Sequence, residues 1–328
     1  MEAYVVEELG GNFRKTGLPI PAIGPDQVLV RIKASGVNPI DTKIRAGKAA
    51  HAKQSLPAVL GLDMAGIVEK VGPEVTGFKA GDEVYGMVGG VGGLQGTLAE
   101  YIATDADLLA RKPKNLSMRQ ASAPPLVAIT AWEGLVDRAK VCADQTVLVH
   151  AGAGGVGHVA VQLARVYNAK VFATVSPDKK RIPESFGAIP IDYRSSSVEE
   201  YVAKMTAGKG FDIVFDTVGG QTLDSSFLAV KRYTGSVVSC LGWGTHSLAP
   251  LSMRGATYSG VFTLLPLITG EGRAHHGEIL AHIATLVEAG KLEPLLNDQF
   301  FSVADIDSAH ALVESGAVGK VVVDLGNQ

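Results

Sequence analysis

The residues best suited to chemistry lie in one run, Val147-Leu148-Val149-His150-Ala151-Gly152-Ala153-Gly154-Gly155-Val156-Gly157. An apolar strand passes there into clustered glycines and then into a helix. Val156, Val159, Leu163 and Val166 give that helix an apolar stripe at helical spacing. Bare backbone at a helix N-terminus suits a pyrophosphate. Side chains would hold the phosphates off, while free N–H groups and the helix dipole favour negative charge. Gly154, Gly155, Val156 and Gly157 are therefore the expected phosphate-binding residues, with purely structural glycines as the alternative. The next strand decides which dinucleotide binds. It ends Ala173-Thr174-Val175-Ser176-Pro177, without the acid that would hold ribose hydroxyls. Ser176, Lys180 and Tyr193, near Lys179, Arg181 and Arg194, offer hydroxyls and cations to a 2′-phosphate, with Asp178 counting against them. NADP(H) is the expected cofactor.

The elements that must position these residues fall into three sections. From Ala3 to about Ala110, short β-branched strands such as Gln27–Ala34, Met64–Val71 and Asp82–Val88 alternate with Gly, Pro and Asp turns. That spacing predicts a small, mostly antiparallel, barrel-like domain. Gly86 to Gly96 holds six glycines in eleven residues, a flexible hairpin or a mobile flap over a site. A capping-box spacing, Ser117 to Gln120, starts a helix, and a second helix is expected over Leu126–Ala139. Six strands, Thr146–His150, Lys170–Val175, Ala188–Ile191, Phe211–Phe215, Ser236–Leu241 and Thr257–Thr263, then alternate with helices. This βαβ rhythm predicts a doubly wound parallel sheet. Pro183 falls inside one expected helix, Asp178–Phe186, which should be short or kinked. From Leu265 to Gln328 helices (Glu278–Ala289 and Val303–Glu314) and a strand (Gly319–Leu325) follow, too little for a third domain. The expected fold is α/β, a Rossmann sheet plus a mostly β domain, divided as 1–122, 123–264 and 265–328, with the last part completing the first.

Composition excludes several classes. With 46% apolar and 19% charged residues, the chain of 328 residues can bury a core and is not disordered. Thirty Lys and Arg against 33 Asp and Glu give a net charge of −3, which speaks against a nucleic-acid binder. Two cysteines, Cys142 and Cys240, exclude a disulfide framework and a four-cysteine zinc lobe. Met1 to Gly10 reads as no signal peptide, and the apolar run Gly260–Thr269 is too short for a bilayer and contains Pro266. A cytoplasmic protein with no membrane partner is expected. The 39 glycines carry no G-X-Y period and so belong to turns and close backbone approaches.

Further segments are Gly36-Val37-Asn38-Pro39-Ile40-Asp41, Gly61-Leu62-Asp63-Met64-Ala65-Gly66, Ala128-Ile129-Thr130-Ala131-Trp132, Phe215-Asp216-Thr217-Val218-Gly219-Gly220 and Gly319-Lys320-Val321-Val322-Val323. Together with the glycine turn they resemble the zinc-independent quinone oxidoreductases, the zeta-crystallin-like branch of the medium-chain dehydrogenase/reductase superfamily. The resemblance spans essentially the whole chain. It implies a GroES-like catalytic domain split around the Rossmann domain, with NADPH and substrate in the cleft, and a homodimer. By the same resemblance Asn38 and Asp41 orient the nicotinamide and its ribose. Thr130 approaches the nicotinamide side, Val218 belongs to a matched cofactor segment, and backbone around Cys240 and Leu241, with Phe262, holds the carboxamide. Zinc-using relatives place Cys where Asn38 stands and His where Leu62 stands. Asp41, His51 and Asp63 have ligand atoms but no zinc-motif spacing, so no metal is expected.

The function so implied is hydride transfer from NADPH to a quinone or an α,β-unsaturated carbonyl. The Tyr that quinone-reducing members often carry is absent from Arg45–His51, which leaves quinone and alkene both open. The alternatives are a zinc-type alcohol dehydrogenase relative and a non-catalytic NADPH-binding sensor or RNA-binding protein. Other candidates have structural readings. Tyr85 is a cleft hydroxyl or packing, Cys240 a pocket residue or a small buried hydrophobe, and His275-His276 a loop or helix start. The strand Thr257–Thr263 reads as an apolar sheet edge inviting a twofold mate.

Overall fold

The computed structural model describes residues 1–326. It divides into two units, Met1–Leu126 with the segment from Leu264 onward, and Val127–Thr263. The first stretch carries eight strands: Glu2–Val6 (β1), Arg14–Gly17 (β2), Gln27–Val37 (β3), Ala58–Val59 (β4), Asp63–Val71 (β5), Glu83–Met87 (β6), Tyr101–Asp105 (β7) and Leu109–Arg111 (β8). Over its first half β3 alternates half-exposed and buried residues, the pattern of a strand with one covered face. Its second half, Ala34–Val37, is buried throughout. β3 pairs antiparallel with β5 and β7, and β5 continues through β6 to β8. A small sheet of order β2-β1-β4 stands apart from these.

The second unit is a six-stranded parallel sheet of Thr146–Val149 (β9), Lys170–Val175 (β10), Ile189–Asp192 (β11), Ile213–Asp216 (β12), Ser236–Ser239 (β13) and Thr257–Gly260 (β14). Its order is β11-β10-β9-β12-β13-β14. The chain winds outward from β9 in one direction, then returns beside β9 and winds in the other. Leu148, Phe172, Phe211, Val214, Phe227 and Val237 form its core on one face, with Phe172 and Phe211 edge to face at 5.3 Å. Each such side chain contributes about 1.5–3 kcal/mol on burial. The return segment supplies Phe301–Ser302 (β15) and Val321–Asp324 (β16). β16 lies antiparallel to β3 and extends the first unit's larger sheet to seven strands.

Local signals and structure agree at both capping boxes, Ser117 with Gln120 and Ser197 with Glu200. Pro183 sits at the third residue of a five-residue helix, Arg181–Ser185, where its missing N–H costs nothing. Elsewhere the structure corrects the sequence reading. The helix expected over Leu126–Ala139 is α-helical only over Pro125–Trp132 and widens to π-helix over Glu133–Arg138. There the Phe215 ring lies against Gly134, where an added Cβ would meet it at 2.7 Å. The helix expected from Glu278 begins at Arg273, after the left-handed Gly272, and takes His275 and His276 into its first turn. Of the two readings of Tyr85 the structure takes packing: it is buried and donates to the Leu280 carbonyl at 2.6 Å. β14 is an edge strand, but it is mostly exposed Thr-Tyr-Ser-Gly; of the apolar residues that follow, Val261 keeps one bond to the sheet, its N–H to the Ser239 carbonyl at 2.9 Å.

The glycine-rich stretch Gly86–Gly96 is neither a loose hairpin nor a free flap. Most of it is buried, and its glycines let main chain lie on main chain. A Cβ at Gly96 would sit 2.3 Å from the Leu60 carbonyl, and one at Gly89 would sit 1.8 Å from the Gln95 oxygen. Gly96→Ala should therefore destabilise the chain by about 1–3 kcal/mol. Gly17→Ala, with nothing within 4 Å of the added carbon, should change stability by less than about 0.5 kcal/mol. Denaturant midpoints check both, and equal effects at the two positions would contradict the close-approach account.

Candidate functional site

The order reversal in the parallel sheet falls between β9 and β12, and ligands bind outside the carboxyl ends of strands at such a point. β9 runs into His150–Gly154 and then the helix Gly155–Val166, whose N-cap, Gly154, offers no side chain to its first-turn N–H groups. Those groups have no intrahelical acceptor. The turn is held by Gly154 N–H to the Ala151 carbonyl at 2.8 Å, with Ala151 itself left-handed at φ 53°. A Cβ at Gly157 would fall 2.1 Å from that same carbonyl, and one at Gly152 2.5 Å from the Ala173 Cβ. Glycine is thus required for the helix to start this close to the turn. The Thr174 hydroxyl accepts from Ala151 N–H and pairs with His150 Nδ1, both at 3.1 Å. Desolvation holds His150 down at about 4, against the pull of Asp216, so the ring is neutral at physiological pH. Anion recognition here rests on backbone N–H groups and the helix dipole, which fits the pyrophosphate of a dinucleotide.

The neighbouring strand ends carry the residues that the sequence assigns to the 2′-phosphate. β10 and β11 run parallel with Val175 opposite Asp192, which brings Ser176 and Tyr193 to adjacent positions on the carboxyl edge. Ser176 is buried, while Lys180 and Tyr193 are exposed. The Arg194 guanidinium lies over the Tyr193 ring, 5.8 Å from its centroid. Two acids stand here: Asp178 bonds to the Ser176 hydroxyl, which holds its carboxyl below the usual range, helped by Lys179 and Arg194, and Asp192 accepts from the Arg194 N–H at 2.9 Å. An exposed Lys, two Arg neighbours and hydroxyls fit a 2′-phosphate better than bare ribose hydroxyls. Arg194 is a residue that sequence reasoning noted without assigning. Its signal was adjacency to Tyr193.

On the other side of the reversal, Val218 follows β12 and is 47% exposed, while Cys240 and Leu241 follow β13 and are half-buried. Desolvation, with Asp216 adding to it, pushes the Cys240 thiol up to about 12, so it stays protonated and is no nucleophile. Phe262 packs edge to face on Trp243 at 5.8 Å, and the buried Thr130 shares a hydrogen bond with Thr263 at 2.9 Å. Thus Gly154–Gly157, Ser176, Lys180, Tyr193, Val218, Cys240 and Leu241 all lie at the carboxyl ends of one sheet's strands.

In the other unit the structure joins Asn38 and Asp41 to two residues the sequence left unassigned. Asn38 Nδ2 donates to Asp63 Oδ2 at 2.9 Å, its backbone N–H donates to Asp41 Oδ2 at 2.8 Å, and its Oδ1 accepts from Lys320 Nζ. Lys320 Nζ is also 3.8 Å from Asp63 Oδ2, and all four residues are buried. Burial pushes Asp41 up to about 7, with Asp63 adding to it, and pushes Asp63 up to about 6 against the pull of Lys320. Lys320 is lowered by the same desolvation. These residues do not fit zinc. An ammonium already compensates the carboxylates, Leu62 is apolar and fully buried, and His51 stands on a separate short 3-10 turn. Among the described residues no cluster of three His, Cys, Asp or Glu could hold a metal.

A β unit interrupted in sequence by a doubly wound dinucleotide-binding unit defines a nicotinamide-dependent oxidoreductase of the alcohol dehydrogenase type. Comparison with known proteins agrees. The alcohol dehydrogenase GroES-like domain matches residues 24–114 and the zinc-binding dehydrogenase domain residues 187–323. The chain is 36% identical over 335 residues to the chloroplastic NADPH-dependent alkenal/one oxidoreductase of Arabidopsis thaliana, covering 98% of this chain and 79% of the relative. Among solved structures it is similar to an alcohol dehydrogenase superfamily protein from Novosphingobium aromaticivorans, at 56% identity and TM-score 0.97, covering 99% and 100% of the two chains. It is also similar to the Escherichia coli quinone oxidoreductase complexed with NADPH, at 28% identity and TM-score 0.84, again over 99% and 100%. The chain belongs to the zinc-independent, quinone oxidoreductase-like branch of the medium-chain dehydrogenase/reductase superfamily.

The buried carboxyls make a stability prediction. Asp41 and Asp63 bind a proton more tightly folded than unfolded, so their contribution is full below about pH 4. It is lost as pH rises through about 6 and about 7. Asp41→Asn keeps an acceptor for the Asn38 N–H and removes one titration. Its unfolding free energy should fall with pH across that window by at least about 1 kcal/mol less than that of the unaltered chain. Denaturant unfolding at stepped pH measures this, and parallel profiles would refute it.

Proposed function

We propose that the protein is an NADPH-dependent reductase that transfers hydride to an α,β-unsaturated carbonyl or a quinone without catalytic zinc. The observation that carries this reading is the bare-backbone turn at the strand-order reversal, beside a strand edge bearing Lys180, Tyr193 and Ser176. Kinship with an NADPH-dependent alkenal/one oxidoreductase and an NADPH-complexed quinone oxidoreductase supports it. Bound NADPH supplies the hydride, which goes to the quinone ring or to the β-carbon of the activated alkene. Gly154, Gly155, Val156 and Gly157 bind the pyrophosphate and Ser176, Lys180 and Tyr193 the 2′-phosphate. Val218, Cys240 and Leu241, with Thr130 and Phe262, take the nicotinamide end. Asn38 and Asp41 are assigned the orienting role. Their side chains are held by Asp63, Lys320 and the Asn38 backbone, which suits positioning rather than covalent attack. Oxygen charge developing on the acceptor calls for a hydrogen-bond donor or water. In this reading 1–122 and 265–328 form the catalytic domain and 123–264 the cofactor domain.

NADPH oxidation by the purified chain should proceed with enals and enones or with naphthoquinones. NADH should be at least about tenfold poorer in kcat/KM, and dialysis against a chelator should leave the rate unchanged. Tight NADPH binding without turnover on any acceptor would overturn the enzyme reading in favour of a sensor.

A homodimer in a reducing, cytoplasmic setting completes the proposal, with a small-molecule substrate and neither nucleic acid nor membrane as partner. β14 offers one unpaired edge of the parallel sheet, and neither Cys142 nor Cys240 forms a disulfide. Among the described residues no helix is long and apolar enough to cross a membrane. Light scattering should give twice the chain mass at micromolar concentration, and a monomer alone would reject the dimer.

A further inference from the structure

Val218, Cys240 and Leu241 stand on two separate loops, one leaving β12 and one leaving β13. A single buried carboxylate holds both. Asp216, the last residue of β12, is fully buried. Its Oδ1 accepts from the N–H groups of Val218 and Gly219, each at 3.0 Å. Its Oδ2 accepts from Gly219 N–H at 3.1 Å and from the Ser239 hydroxyl at 2.7 Å. Ser239, the last residue of β13, is buried too, and its Oγ accepts from Leu241 N–H at 3.1 Å. One hydroxyl can donate and accept in this way at once. The Thr217 hydroxyl adds a third tie, donating to the His150 carbonyl at 2.7 Å, directly before the glycine turn.

The strands do not need this carboxylate to pair. β12 and β13 already run in parallel register from Ile213 opposite Ser236 to Asp216 opposite Ser239. The carboxylate's bonds go instead to loop N–H groups beyond the ladder, and all four come from neutral donors. A fully buried carboxylate is costly unless such donors satisfy it, so its donors are fixed in place as strongly as it is. We infer that Asp216 and Ser239 are positioning residues, a clamp that sets the two nicotinamide-end loops in one geometry before the cofactor arrives. Preorganised loops lose less freedom on binding, and the gain is confined to the part of the ligand that those loops meet. The adenosine end is held from other loops, after β9, β10 and β11.

The clamp rests on the cofactor assignment proposed above, and the test separates the two. Ser239→Ala and Ser239→Thr, in the full chain, are titrated with NADPH and with 2′,5′-ADP, which has no nicotinamide half. Ser239→Ala should weaken NADPH about tenfold and 2′,5′-ADP by less than about twofold. Ser239→Thr keeps the hydroxyl and should restore NADPH affinity to within about threefold. Equal losses for both ligands, no loss for NADPH, or a Thr variant as weak as the Ala variant would each overturn the clamp alone. An unaltered chain that binds neither ligand would overturn the cofactor reading and the clamp with it. Asp216→Asn, where it folds, should show the same split more strongly, and an even loss again counts against the clamp.

Discussion

A helix N-terminus must come close enough to the end of a strand for bare amides to face an anion, and most of the second unit follows from that requirement. The approach works only because Gly157 has no side chain to meet the Ala151 carbonyl and Gly152 none to meet Ala173. It also depends on β9 lying beside β12, where the winding of the sheet reverses and no connection covers the strand ends. Once that crevice exists, the loops around it must hold their shape without filling it. Polar side chains at the strand ends do this: Thr174 braces the turn, and Asp216 and Ser239 brace the loops opposite. None contributes a cation. Positive charge is found on the more exposed residues after β10 and β11, Lys179, Lys180 and Arg194.

The first unit solves a different electrostatic problem. Asn38, Asp41, Asp63 and Lys320 are all buried, and two carboxyls share one ammonium. Isolated charges at such depth would be costly, so the carboxyls rise towards neutrality and the ammonium falls. Zinc-using relatives place metal ligands at the positions of Asn38 and Leu62. Here a buried leucine removes one ligand, and a lysine from the far end of the chain supplies the cation. The result is a rigid amide and carboxyl pair rather than a Lewis acid.

How much of this was legible beforehand depended on the range of the interaction. The capping boxes at Ser117 and Ser197, the short helix around Pro183, and the strand over Gln27–Ala34 are local, and the chain spells them out. The glycine turn was legible for the same reason, since strand, turn and helix are contiguous. Gly86–Gly96 was misread because a glycine needed for close packing and a glycine free to move look identical in sequence. Only the Leu60 carbonyl, 36 residues away, tells them apart at Gly96. Lys320 stood in a matched segment without a role, because its partner Asn38 is 282 residues distant.

By itself, then, the sequence determined the α/β class, the glycine turn between strand and helix, the lack of an acid at the tip of β10 and the absence of the usual zinc ligands. Each depends on residue type at neighbouring positions, where covalent geometry and hydrogen-bonding reach leave few choices. The tertiary structure alone decided which strand ends lie side by side, which buried carboxyls lie near one ammonium, and which hydroxyl ties the loop after β12 to the loop after β13. Those outcomes depend on contacts between distant segments, and on desolvation, which no single stretch of chain can set.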